Sequence, residues 1–246
     1  MIVAFIGTAG SGKTTLTAAF GDYLSKESHS VAYVNLDTGV KKLPYSPDID
    51  VREDVSAWEL MEEGLGPNGA LVKSYDLLVP KVEKYAKGIR VLEEGNEYVL
   101  IDTPGQMETF LFHEFGIKLM ERFPETLGVY LFPPEILNRP ADFCFALFFG
   151  LMIDLRLGIT TVPALSKVDS VGLEKFRKFL DEPAYLTARL RMESSTQGLL
   201  AYRMCSVLPE LAPPTRVLYL SALTGKGFED LETLAYEHYC TCGDLT

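Results

Sequence analysis

Apolar residues in this chain gather into short unbroken runs separated by amphipathic stretches. The runs are Ile2 to Ile6, Val31 to Leu36, Tyr98 to Ile101, Leu127 to Phe132, Thr160 to Leu165 and Arg216 to Leu220. A run that is apolar almost throughout, rather than at alternate positions, suits a strand covered on both faces. Between the runs the spacing predicts helices over Lys13 to Lys26, Ser74 to Lys87, Met107 to Phe123, Asp142 to Leu157, Leu173 to Leu180, Ala184 to Met204 and Phe228 to Tyr239. Strands alternating with helices imply βαβ units, and therefore an α/β fold with a doubly wound, mostly parallel sheet and helices on both faces. The stretch from Gly39 to Gly69 breaks the rhythm, with Pro44, Pro47 and Gly64-Leu65-Gly66-Pro67-Asn68-Gly69. It reads as a long irregular loop, a type that is often functional inside a compact domain. The expected organisation is one domain over residues 1–246, with an insertion at about 39–95.

The first strand runs directly into Gly7-Thr8-Ala9-Gly10-Ser11-Gly12-Lys13-Thr14, which fills the pattern GxxxxGK[ST] between a strand and a helix. Its glycines let the backbone curl so that successive N–H groups point at a phosphate, and the helix that follows offers its positive end to the same group. Gly10, Ser11, Gly12, Lys13, Thr14 and Thr15 are the candidate phosphate-binding residues. Lys13 would bridge the β- and γ-phosphates, and the Thr14 hydroxyl would sit on magnesium. The loop alone leaves ATP or GTP, and hydrolase or kinase, open.

Two later motifs narrow the choice. The strand ending at Ile101 is followed by Asp102-Thr103-Pro104-Gly105-Gln106, which fits the DxxG motif of GTPases. An aspartate at the carboxyl end of a parallel strand faces the ligand crevice, where Asp102 can hold a magnesium-bound water and the Gly105 amide can bond a γ-phosphate oxygen. Gln106 is then placed to orient the attacking water. After the strand Thr160 to Leu165, Ser166-Lys167-Val168-Asp169 resembles the guanine-reading NKxD motif with serine for asparagine. The Asp169 carboxylate can accept from guanine N1–H and the N2 amine, a donor pair adenine lacks, while the Lys167 stem covers the base. Ser221-Ala222-Leu223 resembles the loop whose backbone amide meets guanine O6.

Between Leu36 and Asp102 lies a helical segment, so a parallel crossover is more natural than the hairpin of Ras-like proteins. This points to the branch of P-loop GTPases that includes signal-recognition-particle, MinD-like and nickel-chaperone proteins, many of them nucleotide-sandwiched dimers. The position that carries a second lysine in some of those is Thr8 here. Taken in order, the P-loop, Asn35-Leu36-Asp37, Gly66-Pro67-Asn68, Asp102 to Gln106 and Ser166 to Asp169 make the chain resemble the GPN-loop GTPases along nearly its whole length. The resemblance implies a homodimer that hydrolyses GTP with magnesium, each subunit sending its GPN loop into the other's site. By that resemblance Asn68 acts in trans on the phosphate end and the attacking water, and Asp37 sits near the magnesium or the water. Catalytic candidates are thus Asp37, Asn68, Asp102 and Gln106, and metal candidates Thr14, Asp37 and Asp102. The family's link to RNA polymerase assembly makes a polymerase subunit or a chaperone the expected client. The competing readings are a P-loop kinase and a nucleotide-stabilised scaffold.

Charge and cysteine content change the picture only at its margins. A formal net charge of -11 opposes any ligand held mainly through nucleic-acid phosphates. The apolar run Phe143 to Ile153 is too short to span a bilayer and reads as a core helix, with a partner groove as the alternative. Cys144, Cys205, Cys240 and Cys242 show neither zinc spacing nor a disulfide framework, which fits a cytoplasmic protein.

Overall fold

A computed structural model of the chain describes residues 1–170, 183–193, 195–211 and 217–243. Its strands are β1 (Ile2–Gly7), β2 (Val31–Asn35), β3 (Ile49–Asp50), β4 (Tyr98–Asp102), β5 (Leu127–Phe132), β6 (Thr160–Leu165) and β7 (Leu218–Tyr219). They form one seven-stranded sheet in the order β3-β2-β4-β1-β5-β6-β7, and every pairing is parallel. The three central strands β4, β1 and β5 are buried at each residue, which is why their sequences are apolar runs. Alternation along β1 splits the core into two layers. Ile2, Ala4 and Ile6 point to one face and Val3 and Phe5 to the other.

The face of Val3 and Phe5 is covered by α1 (Lys13–Lys26) and by the final helix Phe228–Gly243, through Leu16, Phe20 and Leu24 and through Phe228, Leu231 and Ala235. On the opposite face lie α3 (Pro67–Leu78), α4 (Val82–Gly95), α5 (Met107–Phe112), α6 (Glu114–Met120) and α7 (Pro140–Leu157), which contribute Tyr75, Ile89, Phe110, Phe115 and Phe143 among others. A fully buried side chain such as Phe20 or Phe115 contributes about 1.5–3 kcal/mol relative to leaving it in water. The chain winds from β1 to β2, β3 and β4 on one side of β1 and then crosses from β4 to β5, β6 and β7 on the other. Such a reversal opens a crevice at the carboxyl ends of the strands, and the P-loop begins there.

Several expected boundaries are corrected. The irregular stretch Gly39 to Gly69 contains β3, a 3-10 turn at Val51–Glu53, the helix α2 (Ala57–Glu62) and the first turn of α3. The predicted helix Ser74 to Lys87 is two helices, separated by the 3-10 turn Val79–Lys81, where Pro80 has no N–H to donate. Met107 to Phe123 breaks at His113, whose backbone is extended and whose ring accepts from the Phe115 amide. Ala184 to Met204 divides into Pro183–Met192 and Thr196–Leu211. The predicted helix Leu173 to Leu180 lies outside the described residues. Cys144 of α7 and Cys205 of Thr196–Leu211 form a disulfide with Cα atoms 6.1 Å apart, contrary to the expectation of no such bond. Their separation of 61 residues left no spacing signal to read. Among the described residues no helix is long and apolar enough to cross a membrane.

At the opposite edge from the crevice, His29 places Nδ1 3.1 Å from Glu97 and Nε2 3.0 Å from Glu232, tying the start of β2 to β4 and to the final helix. Both ring nitrogens face carboxylate oxygens, so only the imidazolium can donate to both. Burial opposes that charge, but the hydrogen bonds to Glu97 and Glu232 outweigh it and raise the His29 pKa above 6.5. A raised folded pKa means the contribution is complete below the unfolded value and is lost as pH climbs through the folded one. The melting temperature is therefore expected to fall as pH rises above about 6.5, and His29→Gln to flatten that slope in thermal unfolding.

Candidate active site

The phosphate loop turns tightly because its glycines allow it. A Cβ on Gly7 would stand 2.5 Å from the Leu131 carbonyl oxygen, and Gly10 and Gly12 have φ of 76° and 97°, a region disfavoured for residues with a Cβ. Helix α1 then starts without a side-chain cap and with no acidic residue in its first turn, so its free N–H groups and positive end are left for an anion. Lys13 is 5% exposed and folds back over the loop, donating to the Gly7 carbonyl at 2.7 Å and the Thr8 carbonyl at 3.1 Å. Burial lowers its pKa, while Asp102 and Asp37 hold it up. Thr14 is half-buried and Thr15 exposed on the next residues of the same turn.

The acidic end of the crevice is set by strand pairing. Asn35 at the end of β2 lies beside Asp102 at the end of β4, and the Leu36 amide bonds the Asp102 carbonyl at 2.9 Å, so Asp37 and Asp102 emerge side by side. Asp102 is 0% exposed. Its Oδ2 accepts from the Tyr45 hydroxyl at 3.0 Å, whereas Oδ1 is buried with no partner. Burial drives its pKa up to about 6, against the Tyr45 hydroxyl bond and the nearby charge of Lys13. A buried carboxylate oxygen without a donor is costly unless something positive or hydrogen-bonding meets it. Together with Thr14 and the unpartnered Ser11 hydroxyl, this donor set suits magnesium, a hard cation that uses one or two protein oxygens and takes its other ligands from phosphates and water. Among the described residues no three His, Cys, Asp or Glu side chains cluster closely enough to hold a metal, so the nucleotide would supply ligands.

Asp37 joins the DxxG segment Asp102 to Gln106, the candidate switch segment, directly. Its Oδ1 accepts from the Gly39 amide at 2.8 Å and its Oδ2 from the Gly105 amide at 2.9 Å. The amide expected to meet a γ-phosphate oxygen is thus held by a carboxylate, an anionic acceptor of similar reach. Gln106, exposed, donates from Nε2 to the Asn68 side-chain oxygen at 3.3 Å within the same chain. Asn68 is not at a loop tip as expected. Gly66 is the N-cap of α3, Pro67 its first residue, and Asn68 and Gly69 follow in the first turn, where a proline suits a position that needs no amide donor.

At the base-binding end Lys167 adopts φ 55° and sends its ammonium to the Gly10 carbonyl at 2.6 Å, linking this motif to the phosphate loop. The Ser221 hydroxyl donates to Asp169 Oδ1 and accepts from the Thr224 amide at 3.2 Å. That leaves Asp169 Oδ2 for a ligand donor. Ser166, at the position where the resemblance expects asparagine, turns inward and donates to the Phe132 carbonyl at 3.2 Å. Ala222 is half-buried and Leu223 exposed. Every described residue of the predicted set therefore falls either at the phosphate end, at the base end or on the rim formed by Asn68 and Gln106. Tyr45, which caps Asp102, was missed. It lies in the irregular stretch and belongs to no motif.

Known proteins agree with this layout. A protein of Pyrococcus abyssi described as the GPN-loop GTPase PAB0955 is 64% identical over 249 residues, covering 100% of both chains. This chain belongs to the GPN-loop GTPases. The crystal structure of PAB0955, a GTPase in apo form, superposes on this GPN-loop GTPase with a TM-score of 0.95 over 98% of each chain. GPN-loop GTPase 1 of Dictyostelium discoideum is 28% identical across 93% of this chain and 59% of its own length. The matching family model, for residues 5–241, is described as a conserved hypothetical ATP-binding protein. The GPN-loop relatives indicate a guanine nucleotide, and the chain is a GTPase of P-loop type whose sheet is parallel throughout, where its sequence predicts a mostly parallel one.

Proposed function

We propose that this GTPase is a magnesium-dependent homodimeric switch in which the GPN residues of one subunit act in the site of the other. Lys13 and the first turn of α1 take the β- and γ-phosphates, Thr14 and Asp102 support the magnesium, which neutralises phosphate charge when bound, and Asp169 reads the base. The observation that carries the reading is the Asn68 to Gln106 hydrogen bond beside the Asp37 to Gly105 one. Both amide side chains are exposed on the rim, where a second subunit can exchange partners with them. An amide places a dipole at the attacking water without the charge of an arginine finger, which favours slow hydrolysis. The family resemblance further assigns a client in complex assembly, with an RNA polymerase subunit or a chaperone as candidate.

Asn68→Ala is expected to leave GTP affinity near wild type and to cut turnover by about 10-fold or more. The trans arrangement is tested by mixing it with Lys13→Ala, which keeps Asn68 but loses its own phosphate site. If Asn68 works across the dimer, random pairing restores about a quarter of wild-type turnover, since half the dimers gain one complete site. A mixture no more active than its components removes the trans role. Equal turnover of ATP and GTP by the unmodified protein would remove the base assignment.

A further inference from the structure

We infer that α3 is the element that positions Asp37, through Ser74 and Tyr75, and so couples the GPN residues at its start to the switch segment of its own subunit. The inference rests on the catalytic role that the family resemblance implies for Asp37. Asp37 lies between two residues that α3 pins from inside the core. The Tyr75 hydroxyl donates to the Leu36 carbonyl at 2.6 Å. The Thr38 hydroxyl and Ser74 hydroxyl are 2.7 Å apart. Ser74 already donates its single proton to the Leu71 carbonyl at 2.6 Å, so Thr38 must be the donor to Ser74. Thr38, Ser74 and Tyr75 are each 0% exposed.

With the residues before and after it held, Asp37 has little freedom to reorient. Its carboxylate is then delivered to the Gly39 and Gly105 amides rather than finding them by chance. A role in packing alone would be served by valine, alanine and phenylalanine at these positions, without the cost of burying three hydroxyls. The next residue of the row, Asp76, meets His113 Nε2 at 3.0 Å, at the junction of α5 and α6. Consecutive residues of α3 therefore hold the Asp37 segment on one side and the helices following Gln106 on the other. Asn68 stands six residues before Ser74 on the same helix, about 9 Å along its axis. A rigid helix of this length passes a displacement of its first turn to Asp37, and so to the Gly105 amide.

The test uses the full-length protein with Thr38→Val, which keeps shape and removes the hydroxyl, Thr38→Ser, which restores it, Tyr75→Phe, and Asp37→Ala as reference. Misplacing a reacting group by about 1 Å can cost about 100-fold. Thr38→Val and Tyr75→Phe are expected to lower kcat for GTP at least ~10-fold, with KM and GDP affinity within about twofold of wild type and with Thr38→Ser close to wild type. The amide resonance of Gly105 in a nitrogen–proton correlation spectrum is expected to move in Thr38→Val and to return in Thr38→Ser. Unchanged kcat and an unmoved Gly105 resonance in both hydroxyl deletions, with Asp37→Ala inactive, would overturn the inference alone. Normal turnover by Asp37→Ala would overturn both it and the reading on which it rests. If Thr38→Val does not fold, the Gly105 resonance in Tyr75→Phe decides.

Discussion

Asp102→Asn is expected to lower the rate of GTP hydrolysis by about 100-fold or more while raising the melting temperature of the ligand-free protein. The two effects have one cause. Asp102 is a carboxylate with no exposure, one oxygen unpartnered and a pKa pushed by burial up to about 6. In the free protein an unsatisfied buried charge costs stability, and an amide of the same shape still accepts the Tyr45 hydroxyl without that charge. On the proposed reading the same charge would support the magnesium at the phosphates, and a neutral amide would be a much weaker partner for it. Single-turnover hydrolysis across a magnesium titration, with thermal unfolding of the apo protein alongside, reads both. A variant that turns over normally at limiting magnesium would show that the charge at Asp102 does not support the metal.

The second large effect is expected at the base end. Asp169→Asn should weaken GTP binding by roughly 10- to 100-fold, because a hydrogen bond to a charged acceptor contributes about 1.5–3 kcal/mol and the new amine would face guanine's donors. The same change should improve binding of xanthosine triphosphate, whose ring offers a donor at N1 and a carbonyl at C2. Asparagine matches that pair with its oxygen and its amine. Ser221 donates to Asp169 Oδ1 and can donate equally to the asparagine oxygen, so the side chain stays oriented. Competition of the two triphosphates against labelled GDP checks the inversion, and loss of both equally would mean that Asp169 does not touch the base.

The sequence was most legible where function is local. The helix Lys13–Lys26 and the strand Thr160–Leu165 start and stop where their patterns predict, since a P-loop, its strand and its helix are consecutive residues and their geometry follows from glycine placement. Legibility failed where a boundary depends on distant packing. The segment from Ser74 to Lys87 has continuous helical spacing, and only the Val79–Lys81 turn lets α3 lie against the Asp37 segment while α4 packs on the sheet. The Gly66-Pro67-Asn68 sequence has the composition of a turn, yet proline is equally at home in the first turn of a helix, and the apolar face that continues through Ala70, Tyr75 and Leu78 settles which form it takes.

By itself, the sequence determined the chemistry available to this protein: an anion-binding loop, a carboxylate at the end of β4, and a second carboxylate suited to guanine. Each is a motif of a few consecutive residues, so chain stereochemistry suffices to shape it. The tertiary structure decided who meets whom. Asp37 holds Gly105, Tyr45 caps Asp102, Asn68 meets Gln106, and Thr38 meets Ser74. These partners come from separate segments of the chain, and they are brought together only when β2 pairs with β4 in the register that sets Asn35 beside Asp102 and α3 packs against the strands that carry them.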